Sequence, residues 1–192
     1  MSVSRVLVAN RGEIAVRVIR ACQSLGIETV AAVSDADRES MAAKMANRAV
    51  CIGPAKSIDS YLKVENVIAA AQGTGCDALH PGYGFLSERA ALAQACVDNK
   101  IIFVGPSAEN ITMMGDKLEA RKVARNAGVP LVPGSDHARN PHEAAQLAKE
   151  IGYPLLLKAS AGGGGRGIKL VWNEHEIEDT FRMAAAEARA AF

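Results

Sequence analysis

The sequence predicts an α/β fold: a doubly wound, mostly parallel sheet, followed by a second domain that is incomplete. Three observations carry this. Short apolar runs alternate with helical patterns over the first hundred residues, the signature of repeated strand–helix units. The runs are apolar at successive rather than alternate positions, as strands covered on both faces are. After Gly105-Pro106 the alternation gives way to two adjacent helices and, later, two strands flanking a glycine run. Right-handed crossovers are strongly favoured in the first part.

The elements follow in order. Val6-Leu7-Val8-Ala9 is the first strand. A helix comes next, with Ile14, Ala15, Val18, Cys22 and Leu25 on its apolar face and Arg17, Arg20 and Ser24 opposite; Gly26 stands where a left-handed stop belongs. Thr29–Val33 is the second strand, a polar helix spans 38–47, and Ala49–Ile52 is a short strand. A helix over Val64–Gln72, a strand at Ala78–His80, a helix over Ser87–Asn99 and a strand at Ile101–Val104 complete the alternation.

Two helices then lie close together, over Ser107–Met114 and Lys117–Asn126. Asp116 can cap the second, with Glu119 three residues on forming a capping box. Asn140-Pro141 with Glu143 is another helix start, and that helix ends near Ile151-Gly152. A strand at Pro154–Ala159, a loop over Ser160–Gly167 and a strand at Ile168–Trp172 follow; Asn173 and Glu176 open a last helix to Phe192. This organisation puts a domain boundary near Pro106, with an incomplete second domain.

Composition narrows the function. The formal net charge is +1 with acids and bases mixed along the chain, and aromatics are 4% of residues. Neither a basic stripe nor a stacking surface is therefore expected, which excludes nucleic acid as the favoured partner. Cys22, Cys51, Cys76 and Cys96 are widely spaced with no CxxC pair, so reduced, mostly buried thiols are expected rather than a metal site or disulfides. The first residues run straight into a strand without a signal-peptide pattern, and no apolar run approaches the ~20 residues that span a bilayer. A soluble, cytoplasmic chain is expected.

The chemistry concentrates in Leu155-Leu156-Leu157-Lys158-Ala159-Ser160-Ala161-Gly162-Gly163-Gly164-Gly165-Arg166-Gly167-Ile168. A glycine run between two strands can fold over as a flap whose bare N–H groups approach phosphate oxygens closely. Lys158 at its base and Arg166 near its end add the positive charge that a polyphosphate needs. A flexible linker is the plainer reading, but linkers usually have polar flanks, and here both flanks are apolar. The segment is not the Walker pattern, since no Gly-Lys-Ser/Thr leads into a helix. It is not GxGxxG either, since a strand follows.

Three further segments matter. Ala9-Asn10-Arg11-Gly12-Glu13-Ile14-Ala15 lies at the first strand-to-helix turn, where a single glycine alone signals only a tight connection. His80-Pro81-Gly82-Tyr83-Gly84-Phe85-Leu86-Ser87-Glu88 follows a strand end, where open α/β sheets place ligands; a histidine such as His80, taken by itself, is more often a satisfied structural residue. Met114-Gly115-Asp116-Lys117 sets Lys117 on the first turn of a capped helix. The helix end there already favours anions, so Lys117 is either solvated or shares an anion with the dipole.

Together, in this order and spacing, the four segments resemble the biotin carboxylase family, and the resemblance runs from Arg5 to Phe192. That family includes the biotin carboxylase subunit of bacterial acetyl-CoA carboxylase, an enzyme of fatty acid biosynthesis. It also includes the first part of propionyl-CoA, methylcrotonyl-CoA and pyruvate carboxylases. The resemblance implies a Rossmann-like, pre-ATP-grasp domain over 1–115, followed over 116–192 by a truncated ATP-grasp domain, in which two lobes clamp ATP. By match to the motifs, Lys117 and Lys158 resemble the lysines that contact ATP. Gly164 and Gly165 resemble flap glycines whose backbone meets the phosphates, with Gly163 and Arg166 in the same binding segment. Ala161 stands where some members have glycine.

The implied reaction is ATP-dependent carboxylation of biotin by bicarbonate through carboxyphosphate, with Mg2+ as the ATP counterion. Implied partners are a biotin carboxyl carrier protein or domain, a carboxyltransferase subunit or domain, and a second copy forming a homodimer. The general base, the bicarbonate clamp and the metal ligands are expected beyond Phe192, so no catalytic and no metal-binding residue is assigned within the chain. Taken alone, it is expected to be inactive. Two other readings remain: another ATP-grasp ligase such as a carbamoyl-phosphate synthetase, and a module that binds a carboxylase subunit without catalysis.

Overall fold

A computed structural model describes residues 3–135, 138–158 and 168–191, apart from the side chains of residues 117, 118, 188, 190 and 191. Five strands, β1 (Arg5–Val8), β2 (Glu28–Ser34), β3 (Arg48–Gly53), β4 (Ala78–His80) and β5 (Ile102–Phe103), form one sheet in the order β3-β2-β1-β4-β5. Every pairing in it is parallel. The continuous apolar run of β1 has its physical reason here. Leu7 points into a core shared with Val30, Leu79, Leu92 and Cys96, while Val6 and Val8 point into a second core with Ala15, Val18, Ile19 and Cys22. Helix α1 (Gly12–Ser24) therefore covers one face, and α3 (Val64–Gly73) and α4 (Ala90–Asp98) cover the other. Burying a side chain such as Leu7 on this scale contributes roughly 1.5–3 kcal/mol.

Several boundaries differ from the sequence expectation, each for a local reason. The helix expected over 38–47 is only α2 (Met41–Met45), because Ser40 caps it through Ala43 N–H at 3.3 Å and Ala46 returns to extended backbone. Helix α4 begins at Ala90 rather than Ser87, since Ser87 and Arg89 close turns onto Gly84 O and Leu86 O. Leu25, expected on the apolar face of α1, lies past its last residue and is 73% exposed. The left-handed stop does fall at Gly26, with φ +68° and Ile27 N–H reaching back to Cys22 O at 2.9 Å. Cys22, Cys76 and Cys96 are buried free thiols, and Cys51 is a free thiol at the surface. Burial pushes Cys96 up to about 11 and also raises Cys22 and Cys76.

Helix α5 (Ala108–Gly115) is capped by Ser107 and α6 (Lys117–Asn126) by Asp116, whose Oδ1 accepts from Glu119 N–H at 3.1 Å. The chain divides into two compact units, Met1–Ala120 and Arg121–Phe192. The second contains α7 (Pro141–Ile151), the antiparallel pair β6 (Leu155–Lys158) and β7 (Ile168–Val171), and α8 (Ile177–Ala191). Ala144 and Ala148 of α7, Val171 of β7 and Ile177 of α8 form its core, with Leu155, Leu157 and Phe181 against them. Asn140 caps α7 through Glu143 N–H at 2.9 Å, while Glu143 Oε2 accepts from Arg139 N–H at 2.8 Å. Among the described residues no helix is long and apolar enough to cross a membrane.

Candidate functional site

In the first unit, strand order reverses beside β1: the chain leaves β1 toward β2 and leaves β4 toward β5. The helices after those two strands pack on opposite faces, which opens a crevice at the strands' carboxyl ends, the place where open α/β sheets bind ligands. Residues 10–14 and 83–85 line a concavity of about 400 Å³ there. Two of the four sequence segments, around Asn10 and around His80, thus come together in space.

The contacts joining them are specific. Ala9 N–H donates to His80 O at 2.9 Å, continuing the β1–β4 ladder by one residue. Asn10 is buried, and its Nδ2 donates to Pro81 O at 2.7 Å and Tyr83 O at 2.8 Å. The Tyr83 hydroxyl donates to the Glu13 carboxylate. His80 Nδ1 accepts Gly82 N–H at 3.0 Å, and burial lowers the imidazole's pKa below its ordinary range. These contacts make His80 a satisfied, neutral turn residue.

Sequence reasoning missed the cluster behind this turn. Tyr61, 1% exposed, stacks on Phe85 with centroids 5.1 Å apart at 14°. The Arg11 guanidinium carbon lies 5.6 Å and 5.4 Å from the two ring centroids, and its Nη1 lies 3.8 Å from Asp37 Oδ2. The same oxygen accepts from Tyr61 Oη at 2.9 Å and Ser34 Oγ at 2.5 Å. Burial, with the neighbouring Asp37 carboxylate, raises the Tyr61 phenol, so it stays a donor throughout the ordinary pH range. No periodicity connects residues 11, 37, 61 and 85; only strand order brings them together.

In the second unit, β6 and β7 flank the glycine run, with Leu156 opposite Leu170 and Lys158 opposite Ile168. Leu155, Leu157 and Val171 turn toward the helices. Leu156, Ile168 and Leu170 face outward, 55%, 40% and 46% exposed, and Lys158 is exposed beside them. The two strands read as buried from their composition are therefore covered on one face only, which a run of leucines does not announce. Among the described residues no carboxylate pairs with Lys158. Lys117 opens α6 in the first unit, whereas Lys158 ends β6 in the second; the Lys117 side chain is not among those described. Gly163, Gly164, Gly165 and Arg166 lie outside the described residues. Among the described residues no three His, Cys, Asp or Glu side chains converge as a metal would require.

Residues 2–111 match the family model for the biotin carboxylase N-terminal domain, and residues 116–192 match that for the carbamoyl-phosphate synthase L chain ATP-binding domain. Biotin carboxylase 1 of Bacillus subtilis (strain 168) is 52% identical over 191 residues, which is 99% of this chain and 42% of that protein. A biotin carboxylase–beta-gamma-ATP complex from Campylobacter jejuni superposes with a TM-score of 0.87 at 45% identity, over 100% of this chain and 43% of that one. The biotin carboxylase domain dimer of Hydrogenobacter thermophilus 2-oxoglutarate carboxylase, in complex with MgADP, ADP and bicarbonate, gives 0.84 at 49% identity, over 100% of this chain and 42% of that one. The chain thus spans less than half the length of these relatives. With its N-terminal unit matched from residue 2 to residue 111, the chain belongs to the biotin carboxylase family.

Proposed function

We propose that these residues form the N-terminal part of a biotin carboxylase, which uses MgATP and bicarbonate to carboxylate biotin borne on a carrier protein or domain. The observation that carries this reading is the β6–β7 pair, an antiparallel ladder flanking the glycine run with Lys158 at its open end. An outward apolar strip beside a cation suits a nucleotide, the base lying on Leu156, Ile168 and Leu170 and the phosphates toward Lys158. Lys117 adds charge at the start of α6, and the N–H groups of Gly163, Gly164 and Gly165, with Arg166, close over the phosphates. The nucleotide-binding part begins at Asp116, the cap of α6, dividing the chain into 1–115 and 116–192.

In the first step a bicarbonate oxygen bonds to the γ-phosphorus, and the bond to the β–γ bridging oxygen breaks, giving carboxyphosphate and ADP. Such transfers depend on positioning and charge neutralisation, which the lysines and backbone donors supply. Carboxyphosphate then loses phosphate to give CO2, and the deprotonated ureido nitrogen of biotin captures it. The general base and the bicarbonate clamp come from sequence following these residues. A homodimer, partnered by a carboxyl carrier and a carboxyltransferase, completes the assembly; the free thiols suit the cytoplasm.

A second reading, a carbamoyl-phosphate synthetase-like ligase, draws on the match of residues 116–192. The match of residues 2–111 favours biotin as acceptor. In the longer enzyme, ADP release that needs both bicarbonate and biotin is expected, and release that needs bicarbonate with ammonia instead would install the second reading. Lys158→Met is expected to raise the KM for MgATP by about tenfold or more, the loss of one charge-assisted phosphate contact. An unchanged KM would remove Lys158 from the phosphate site.

A further inference from the structure

The cation at the head of α1 is oddly placed. A helix N-terminus disfavours positive charge, and Arg11 makes no side-chain capping bond there. Its guanidinium instead lies against the stacked rings of Tyr61 and Phe85, facing Asp37. Asp37 is held in turn by Tyr61 Oη and Ser34 Oγ. Three loops at the ligand edge of the sheet therefore meet on Arg11, and its far contact is a residue of the turn His80–Glu88.

That turn has reason to need an anchor. Gly82 and Gly84 both stand at φ +66°, and Phe85, which is not a glycine, stands at φ +45°. A side-chain-bearing residue persists in that region only where its surroundings hold it, and the glycines on either side of Tyr83 give the backbone other conformations to choose. Asn10 fixes the first half of the turn through Pro81 O and Tyr83 O. Among the described residues nothing comparable in hydrogen bonding reaches Phe85; its ring packs at the edge of the core, stacked on Tyr61 with Arg11 over it.

We propose that Arg11 is a positioning residue: acting through Phe85, it fixes the second half of the turn, and with it the disposition of Gly84 and Phe85 where they line the crevice. Adjacent residues thus fasten opposite halves of one turn, Asn10 by hydrogen bonds and Arg11 by stacking. The consequence for turnover rests on the reading given under Proposed function; the consequence for the turn does not.

Amide hydrogen exchange on the chain separates the two. Ser87 N–H and Arg89 N–H are bonded within the turn, to Gly84 O and Leu86 O, while Ile102 N–H and Val104 N–H are bonded to Asp77 O and Leu79 O in the sheet. In Arg11→Ala, exchange at Ser87 and Arg89 is expected to accelerate about tenfold, with Ile102 and Val104 within about twofold. Phe85→Leu, which keeps an apolar side chain, is expected to reproduce this. Arg11→Lys keeps the charge facing Asp37 but cannot lie flat on the rings, and is expected not to restore protection. Unchanged exchange at Ser87 and Arg89, equal acceleration at all four amides, or full restoration by lysine would each overturn the proposal. In the longer enzyme Arg11→Ala is expected to lower kcat for biotin-dependent ADP release about tenfold or more and to leave the KM for MgATP within about twofold; an unchanged kcat would overturn the link to turnover. If the unaltered enzyme shows no biotin dependence, the functional reading falls, and the exchange result decides the anchoring role alone.

Discussion

Because His80 accepts Gly82 N–H at Nδ1, the neutral ring carries its proton on the other nitrogen, and protonating Nδ1 would break the turn's first contact. Burial already opposes the charged form, so the folded pKa lies below the ordinary 6.5. The unfolded chain then binds a proton at a pH where the folded chain does not. Stability contributed by His80 is full above about pH 6.5 and falls as the pH drops below it, levelling only after the folded imidazole also titrates. His80→Asn keeps an acceptor near Nδ1 without the titration. Urea midpoints of the two chains at pH 7.5 and pH 5.5 are expected to converge as the pH falls, since carboxylate titrations are common to both. A constant difference would mean that His80 titrates alike in the folded and unfolded chains. The residues singled out from sequence thus divide: His80 is a turn-builder, and Lys158 is an exposed cation beside the outward apolar strip.

At the level of elements, the turn between β4 and α4 makes two glycines with the same backbone unequal. Gly82 and Gly84 share φ +66°, but a Cβ on Gly82 would sit 2.7 Å from Asn10 Nδ2, whereas one on Gly84 would meet nothing within 4 Å. Gly84→Ala is expected to cost about 1 kcal/mol for the left-handed backbone alone. Gly82→Ala adds displacement of a buried, doubly bonded amide and is expected to cost about 2–4 kcal/mol. Equal midpoint shifts in urea would show that Asn10 can move aside. The same comparison marks what sequence makes legible. The central strands of the first sheet were readable because two-sided burial makes them apolar at successive positions, as at Val6-Leu7-Val8. Caps were readable because Ser, Asp and Asn announce them, as Asp116 and Asn140 do. The five-residue α2 was not, since its length is set by Ser40 and by the return of Ala46 to extended backbone. Nor was the open face of β6–β7, because a leucine run does not say whether one face or two is covered.

At the scale of the molecule, the family was legible from four linked motifs, while the site's three-dimensional logic was not. Strand order places residues 11 and 85 side by side, and order is a property of the whole sheet rather than of any segment. The same scale governs activity. An ATP-grasp site works by holding nucleotide between two lobes, and the chain spans 42% of its Bacillus subtilis relative; on the proposed reading, Lys117 and Lys158 would meet the phosphates without the groups proposed to activate bicarbonate and biotin. Losing the second wall removes the orientation that makes the transfer effectively intramolecular, an effect worth several orders of magnitude. Assayed alone with MgATP, bicarbonate and free biotin, the 192-residue chain is expected to release ADP at less than about a thousandth of the longer enzyme's rate. Mixing in the missing portion as a separate polypeptide is expected to recover part of it, because the interface between lobes can re-form without a covalent link. A rate within about tenfold of the longer enzyme from these residues alone would mean that base, clamp and lysines all lie before Phe192, and would move the chemistry into the crevice beside Asn10 and Tyr83.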